Sequence, residues 1–373
     1  MPKSPTLYRL AADRQYHKIP LRLQTNPEDL LWTDRYGSTA LHILCQVRNV
    51  DKGLLAAVDA ILEKAPEQVS WANIASWTPL HFAVEKPLVW RSSDTYSTAL
   101  ILRLIRACPA AVSQRTKGGF KTKTPFHIAC EAAADYKVLK AMLTINPSLA
   151  TEPYSKRDAY SLIENPIQAL WKAHLHLSQS GFSGSSMHQA EKKMALLLQA
   201  AHCGTVTFAN KERSFRILNA VCAVRCPRDY FARILNDHVD DVRLPDEKGL
   251  HALHYAVRSV SADSQSYTEF VLEALLSVFP QAAALRDDVG RLPLHVAISS
   301  TFLQWHRGGL RELTLAHTDA LRTPDPESGL VPFLGSAEGA KKSRMHLSTT
   351  YELLRAAPDV TLMLHSDTET VAA

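Results

Sequence analysis

The sequence predicts an all-α fold, an α-solenoid of about nine helix–turn–helix units with finger loops, bent or interrupted at 150–215. Three observations predict it. A short apolar pattern recurs along the chain, a turn signal precedes each strong copy, and an apolar segment closed by proline follows most copies. Composition agrees, since 46% apolar and 21% charged residues make core-forming material. Only 14 of 373 residues are glycine, which disfavours collagen-like and phosphate-loop architectures. The net charge of +5 is mild for this length and disfavours a dedicated nucleic-acid binder.

The recurring pattern reads ALHILC at 40–45, PLHFAV at 79–84, PFHIAC at 125–130, ALHYAV at 252–257 and PLHVAI at 293–298. Weaker copies lie at 7–12, 166–171, 217–222 and 332–337. One marker position sets the register: Tyr8, His42, His81, His127, Gln168, Asn219, His254, His295 and Leu334. Successive markers stand 34 to 51 residues apart, and an apolar residue precedes each. Self-similarity at such a period is the signature of a repeat architecture.

The flanking residues explain each element in turn. Gly37, Ser76, Ser214, Gly249, Gly290 and Gly329 lie five residues before a marker, where a positive φ closes a tight turn. Asp34, Asn73, Asp246 and Asp287 come three residues earlier and can bond the turn backbone through a short side chain. Thr78 and Thr124 stand before Pro79 and Pro125, a good N-cap followed by a residue tolerated at the first helical position. Ala83, Ala129, Ala256 and Ala297, two past the marker, let helices approach closely. A second helix is expected in 54–66, 100–109, 138–147, 270–280 and 351–358. Leu100, Ile101, Leu104 and Ile105 show its three-to-four spacing, and proline ends it by withholding an amide donor.

The composite pattern D-x-x-G-x-T-P-L-H-x-A, read at 34–44, 73–83, 246–256 and 288–297, resembles the ankyrin repeat. The resemblance covers about residues 5 to 360. It departs in length, because the ankyrin unit has 33 residues and most intervals here exceed it. The excess falls in 84–97, in 259–269, in the turn between Pro109 and His127, and in a Ser-rich insert from Ser178 to His188. The expected organisation is an N-terminal capping repeat at 1–30, repeats at 31–150 and a degenerate repeat with the insert at 151–215. Repeats at 216–325, a C-terminal capping repeat at 326–365 and a tail at 366–373 follow.

The resemblance implies an open binding surface and a non-enzymatic scaffold or adaptor. Partners of ankyrin proteins mostly touch finger tips and the exposed side of the first helix. Carried over by position, the partner-binding residues are Arg35, Tyr36, Ile74, Trp77, Phe120, Lys121, Lys123, Lys248, Leu250 and Arg291, with Ser38, Glu85, Glu247, Arg258 and Val289 beside them. Tyr36, Trp77 and Phe120 then project from three adjacent fingers as aromatic anchors. Between Thr95 and Cys130 there is no Asp or Glu, while Arg115, Lys117, Lys121 and Lys123 share one finger. An acidic or phosphorylated protein partner is therefore expected. A second basic stretch runs from Lys211 and Arg213 through Arg216, Arg225 and Arg228 to Arg233.

The histidines His42, His81, His127, His254 and His295 would form a ladder of one per layer. We read them as structural, each bonding backbone or hydroxyl groups of its own or the next turn. His174, His176, His188, His202 and Cys203 match no zinc spacing, and Cys222 with Cys226 is read as buried. Two rival functions stay open. One is an enzyme or metal protein with its site in 150–215. The other is a binder of nucleic acid or anionic lipid through the basic stretches. No cofactor and no membrane span are expected. Six scattered cysteines without a C-x-x-C pair point to a reducing compartment. A monomer in the cytoplasm or nucleus is expected.

Overall fold

The computed structural model describes residues 6–85, 95–117, 122–153, 165–179, 185–204, 216–246, 249–258, 265–300, 304–340 and 345–360. Among them every regular element is helical, and the one strand-like feature is an isolated antiparallel bridge between Gln304 and Arg307. No helix among the described residues is long and apolar enough to cross a membrane. The chain forms two compact units, Met1–Thr207 and Phe208–Ala373.

In the first unit the helix pairs are α1 (Thr6–Ala12) with α2 (Ile19–Thr25), α3 (Ala40–Gln46) with α4 (Lys52–Lys64), and α5 (Pro79–Val84) with α6 (Thr95–Ala107). α7 (Pro125–Glu131) with α8 (Tyr136–Ile145) and α9 (Pro166–Gln179) with α10 (Ser185–Cys203) follow. In the second unit they are α11 (Ile217–Ala223) with α12 (Arg228–Asp237), α13 (Ala252–Arg258) with α14 (Gln265–Val278), α15 (Pro293–Ser299) with α16 (Leu310–Ala316), and α17 (Pro332–Ala340) with α18 (Met345–Ala356). Within each unit, first helices pack on the first helices of adjacent pairs, and from α2 to α10 and from α12 to α16 second helices pack on second helices. Each unit is thus an α-solenoid segment of helix pairs, in which a pair buries its faces against its sequence neighbours.

The core follows the apolar spacing. α4 buries Leu54, Leu55, Val58 and Ile61, α6 buries Leu100, Ile101, Leu104 and Ile105, and α8 buries Val138, Leu139, Met142 and Leu143. Each such side chain stabilises the stack by roughly 2 kcal/mol. The prolines do more than stop helices. Ala65, Cys108, Asn146 and Phe279 precede prolines and leave the α region, with φ between −142° and −146°. A residue before proline is pushed that way. Pro66, Pro109, Pro147 and Pro280 then open a short 3₁₀ turn that carries the chain to the next finger.

Candidate functional site

The fingers that carry Asp34, Asn73, Asp246 and Asp287 are each built from that side chain and one positive φ. Asp34 Oδ1 accepts from the Tyr36 and Ser38 amides at 2.8 Å. Asn73 Oδ1 accepts from the Trp77 amide at 2.9 Å and Asp246 Oδ1 from the Leu250 amide at 2.9 Å. Asp287 Oδ1 accepts from the Val289 and Arg291 amides at 3.1 and 2.7 Å. Gly37, Gly249, Gly290 and Gly329 hold positive φ, and Ser76 adopts the same conformation at +59° without being glycine. The fingers of the second and third pairs join directly, because the Ile74 amide donates to the Tyr36 carbonyl at 2.8 Å.

That joint displays Tyr36 at 54% and Ile74 at 75% exposure. The Arg35 guanidinium lies over the Tyr36 ring, 4.7 Å from its centroid, a cation–π arrangement. The structure brings Arg35, Tyr36 and Ile74 together on an open edge. It treats the other expected contact residues differently. Trp77 is half-buried, its ring 5.0 Å from Phe82 and 5.8 Å from His81, so it packs behind the tip instead of projecting from it. Ser38 and Leu250 are buried at 4% and 7% exposure. These two correct the expectation, since the residue after the turn glycine points into the stack. Arg291 is a clamp: its guanidinium pairs with Asp325 at 3.1 Å and with Glu327, and donates to Ser299 Oγ at 2.7 Å. Phe120, Lys121, Glu247 and Lys248 lie outside the described residues, as do Lys211, Arg213, Ser214 and the tail at 366–373. So do 86–94, 259–264 and 180–184 of the three insertions.

Much of the expected positive charge is neutralised inside the fold. Lys123 Nζ pairs with Glu131 at 2.7 Å, Arg115 with Glu152, and Arg103 with Asp59 at 2.7 Å. In the second stretch Arg216 pairs with Asp241 at 3.5 Å and Arg233 with Asp237 at 3.9 Å. The Arg228 guanidinium covers Phe270, 5.0 Å from its centroid. Arg216 and Arg228 are therefore engaged with their own fold, and Lys117 is exposed on the cationic finger.

The marker histidines form the ladder. His42 Nδ1 accepts from the Thr39 amide at 3.1 Å and sits 2.9 Å from its hydroxyl, while Nε2 donates to the Trp77 carbonyl at 3.2 Å. His81 repeats this with Thr78 and the Lys123 carbonyl at 3.3 Å, and His127 with Thr124 and the Glu152 carbonyl at 2.8 Å. His254 and His295 reach the Arg291 and Thr323 carbonyls at 3.2 and 2.9 Å. Accepting at Nδ1 and donating at Nε2 defines a neutral imidazole with its proton on Nε2. Burial lowers the pKa of His42, His81 and His127 from 6.5 to about 4, and lowers those of His254 and His295 as well. A buried ring with both nitrogens engaged in backbone bonding is a strut, and neither nitrogen is presented to a substrate.

Two of the weaker units bond their markers with other side chains. At the Gln168 marker, Asn165 Oδ1 accepts from the Gln168 amide at 2.8 Å and Gln168 Oε1 from the Asn165 amide at 3.4 Å. The terminal marker Tyr8 donates its hydroxyl to Asp34 Oδ2 at 2.8 Å. Among the described residues no three His, Cys, Asp or Glu side chains are placed to hold a metal ion. His174 is buried on α9, whereas His176, His188 and Cys203 are exposed. Cys226 lies beyond the end of α11, so it does not share a helix with Cys222. Its thiol is 2.9 Å from Tyr267 Oη, and burial pushes its pKa up to about 12.

No family model and no curated protein matches the chain. Among solved structures, a chain from the complex of the Bdellovibrio bacteriovorus predatory endopeptidase Bd0816 with immunity protein Bd3460 is similar at 19% identity, over 74% of this chain and 99% of that one, with a TM-score of 0.33. The ankyrin repeat domain of Bcl-3, of the IkappaB family, is similar at 19% identity, over 70% of this chain and 94% of that one, with a TM-score of 0.30. At those TM-scores the likenesses carry no argument, and the reading below rests on the finger and ladder geometry.

Proposed function

We propose that the protein is a non-enzymatic binding module that recruits a protein partner along the finger edge of its first unit. Arg35, Tyr36 and Ile74 form the contact. The observation that carries this reading is the joined pair of fingers, with Tyr36 and Ile74 more than half exposed on a backbone link of 2.8 Å. An exposed aromatic ring beside an arginine is the composition of an interface anchor. Trp77 supports the anchor from behind. Lys117, with Lys121 on the same finger, favours an acidic or phosphorylated partner and chiefly speeds encounter. The five marker histidines serve the scaffold.

The test is partner capture by the full chain with the finger edge altered, read by mass spectrometry against the unaltered chain. Tyr36→Ala with Ile74→Asp should abolish recovery of a specific partner and leave the melting temperature within about 2 °C, because both side chains are exposed. Glu63→Ala, on a second helix, should change nothing. Unchanged recovery with the double variant would overturn the reading. Hydrolytic activity lost on substituting a marker histidine, in a chain that still folds, would favour an enzyme instead.

A further inference from the structure

The first helices of the first unit carry a face that the stack leaves partly in solvent. α3 packs on α5 and α5 on α7, so residues in the same register line up across them. Ile43 and Phe82, one past their markers, are half-buried, and Gln46 and Glu85, four past, are exposed. Phe82 has an aromatic neighbour from its own finger. The Trp77 and Phe82 rings stand 5.0 Å apart between centroids, inclined at 43°, and Trp77 is half-buried as well. The Glu85 amide donates to the His81 carbonyl at 3.1 Å, so Glu85 continues the turn of α5. Residues three apart on a helix are neighbours, with Cβ atoms about 5–6 Å apart. Glu85 and Phe82 therefore share one face of the helix, with Trp77 against the ring.

Two aromatic rings beside a carboxylate select for a cation. The face of an aromatic ring is electron-rich and attracts positive charge, that of tryptophan most strongly. A carboxylate accepts two parallel hydrogen bonds from a guanidinium. Arginine combines the two needs, since its flat cation stacks on a ring while its edge bonds an acid. The fold already brings one cation close to this face. The Lys123 carbonyl lies 3.3 Å from His81 Nε2, and its ammonium is drawn to Glu131 on α7 at 2.7 Å. Burial raises the Glu85 pKa, and the Lys123 charge lowers it.

We propose that Trp77, Phe82 and Glu85 form a seat for one arginine side chain of a partner protein, on the first-helix face of the third pair. The rings take the flat face of the guanidinium and Glu85 takes its edge. The seat differs from the finger contact in residues and in charge, and does not depend on it. A partner that uses both carries an acidic group at the fingers and an arginine on the helix.

The test follows the indole ¹H–¹⁵N signal of Trp77, assigned by its loss in Trp77→Phe. The full chain is titrated at low salt, up to about 20 mM, with a capped Gly-Ser-Arg-Ser-Gly peptide or with its neutral citrulline counterpart. The arginine peptide should shift the signal saturably, and the citrulline peptide should bind about tenfold more weakly. Phe82→Leu and Glu85→Gln should each raise the midpoint about threefold. Lys123→Ala removes the resident cation and should lower it about twofold. Tyr36→Ala with Ile74→Asp should leave it within about twofold, which separates a failure of the finger reading from a failure of this one. No saturable shift, equal binding of the citrulline peptide, or an unchanged midpoint in Glu85→Gln would overturn the proposal. A response lost in the finger variant would overturn it too, by moving the site to the fingers. If Phe82→Leu does not fold, Glu85→Gln and Lys123→Ala decide, and weaker binding in Lys123→Ala counts against the seat.

Discussion

In the first unit each ladder histidine shares a threonine hydroxyl with its own helix cap, at 2.9 Å for Thr39, 2.8 Å for Thr78 and 2.7 Å for Thr124. In the second unit the corresponding cap positions hold His251 and Leu292. His254 there accepts a longer bond from its cap amide, 3.4 Å against 3.1 Å. The His251 ring stands 5.8 Å from that of His254 and leaves a buried nitrogen unpartnered. One rung earlier, Asn219 occupies the marker position with both side-chain atoms buried and unpartnered, since an amide on a short stem cannot span what an imidazole spans. The difference teaches that the bond from Nε2 to the next carbonyl is the part the fold keeps. The hydroxyl cap is an increment the second unit lacks.

The largest effect should come from breaking a complete rung and comparing it with an incomplete one. His127→Ala leaves the Glu152 carbonyl and the Thr124 cap unbonded and opens a cavity, and should cost about 3 kcal/mol in urea unfolding. His254→Ala should cost about 1 kcal/mol less, because less is lost. Equal losses would erase the distinction between the units. Next comes Gly249, whose φ of +67° and close neighbour leave no room, since an added Cβ would lie 2.5 Å from the Asp288 amide nitrogen. Gly249→Ala should destabilise by about 2 kcal/mol, strain plus displaced backbone. A smaller change should repair the second unit: His251→Thr restores the hydroxyl cap and should gain about 1 kcal/mol. The smallest concerns Ser76, the non-glycine at a finger turn. Ser76→Gly should raise stability by roughly 0.5 kcal/mol, relieving the left-handed conformation at some entropic cost.

The helix pairs, their register and the finger turns were legible in the sequence because each depends on local chemistry. The Asx side chain, the glycine and the Thr-Pro cap act within five residues of one another. Exposure of individual tip residues was less legible. Leu250 and Trp77 flank turn residues just as Tyr36 and Ile74 do, yet the neighbouring pair decides which side chains it covers. The charge run in 103–123 suggested a cationic surface, but Asp59, Glu152 and Glu131, remote in sequence or outside the run, pair with three of its six cations. The burial of Lys193 on α10 was missed, although a signal existed: a lysine three residues from Ala190 and four from Leu197 stands on an apolar helical face. The same register places His174 seven residues after Ile167 on the buried side of α9.

The central claim is that the marker histidines are neutral struts between successive pairs. A ring whose folded pKa lies below its unfolded value of about 6.5 takes up a proton on unfolding. Its stabilising contribution is therefore complete above about pH 6.5 and is lost progressively as pH falls toward 4. The direct measurement is a pH titration of the imidazole nitrogens of His42, His81 and His127 by long-range ¹H–¹⁵N NMR. The account expects the proton on Nε2 in all three, an Nδ1 shift typical of an acceptor, and no titration before the protein unfolds below about pH 5. Rings that titrate near 6.5 in the folded protein, or that carry the proton on Nδ1, would contradict it.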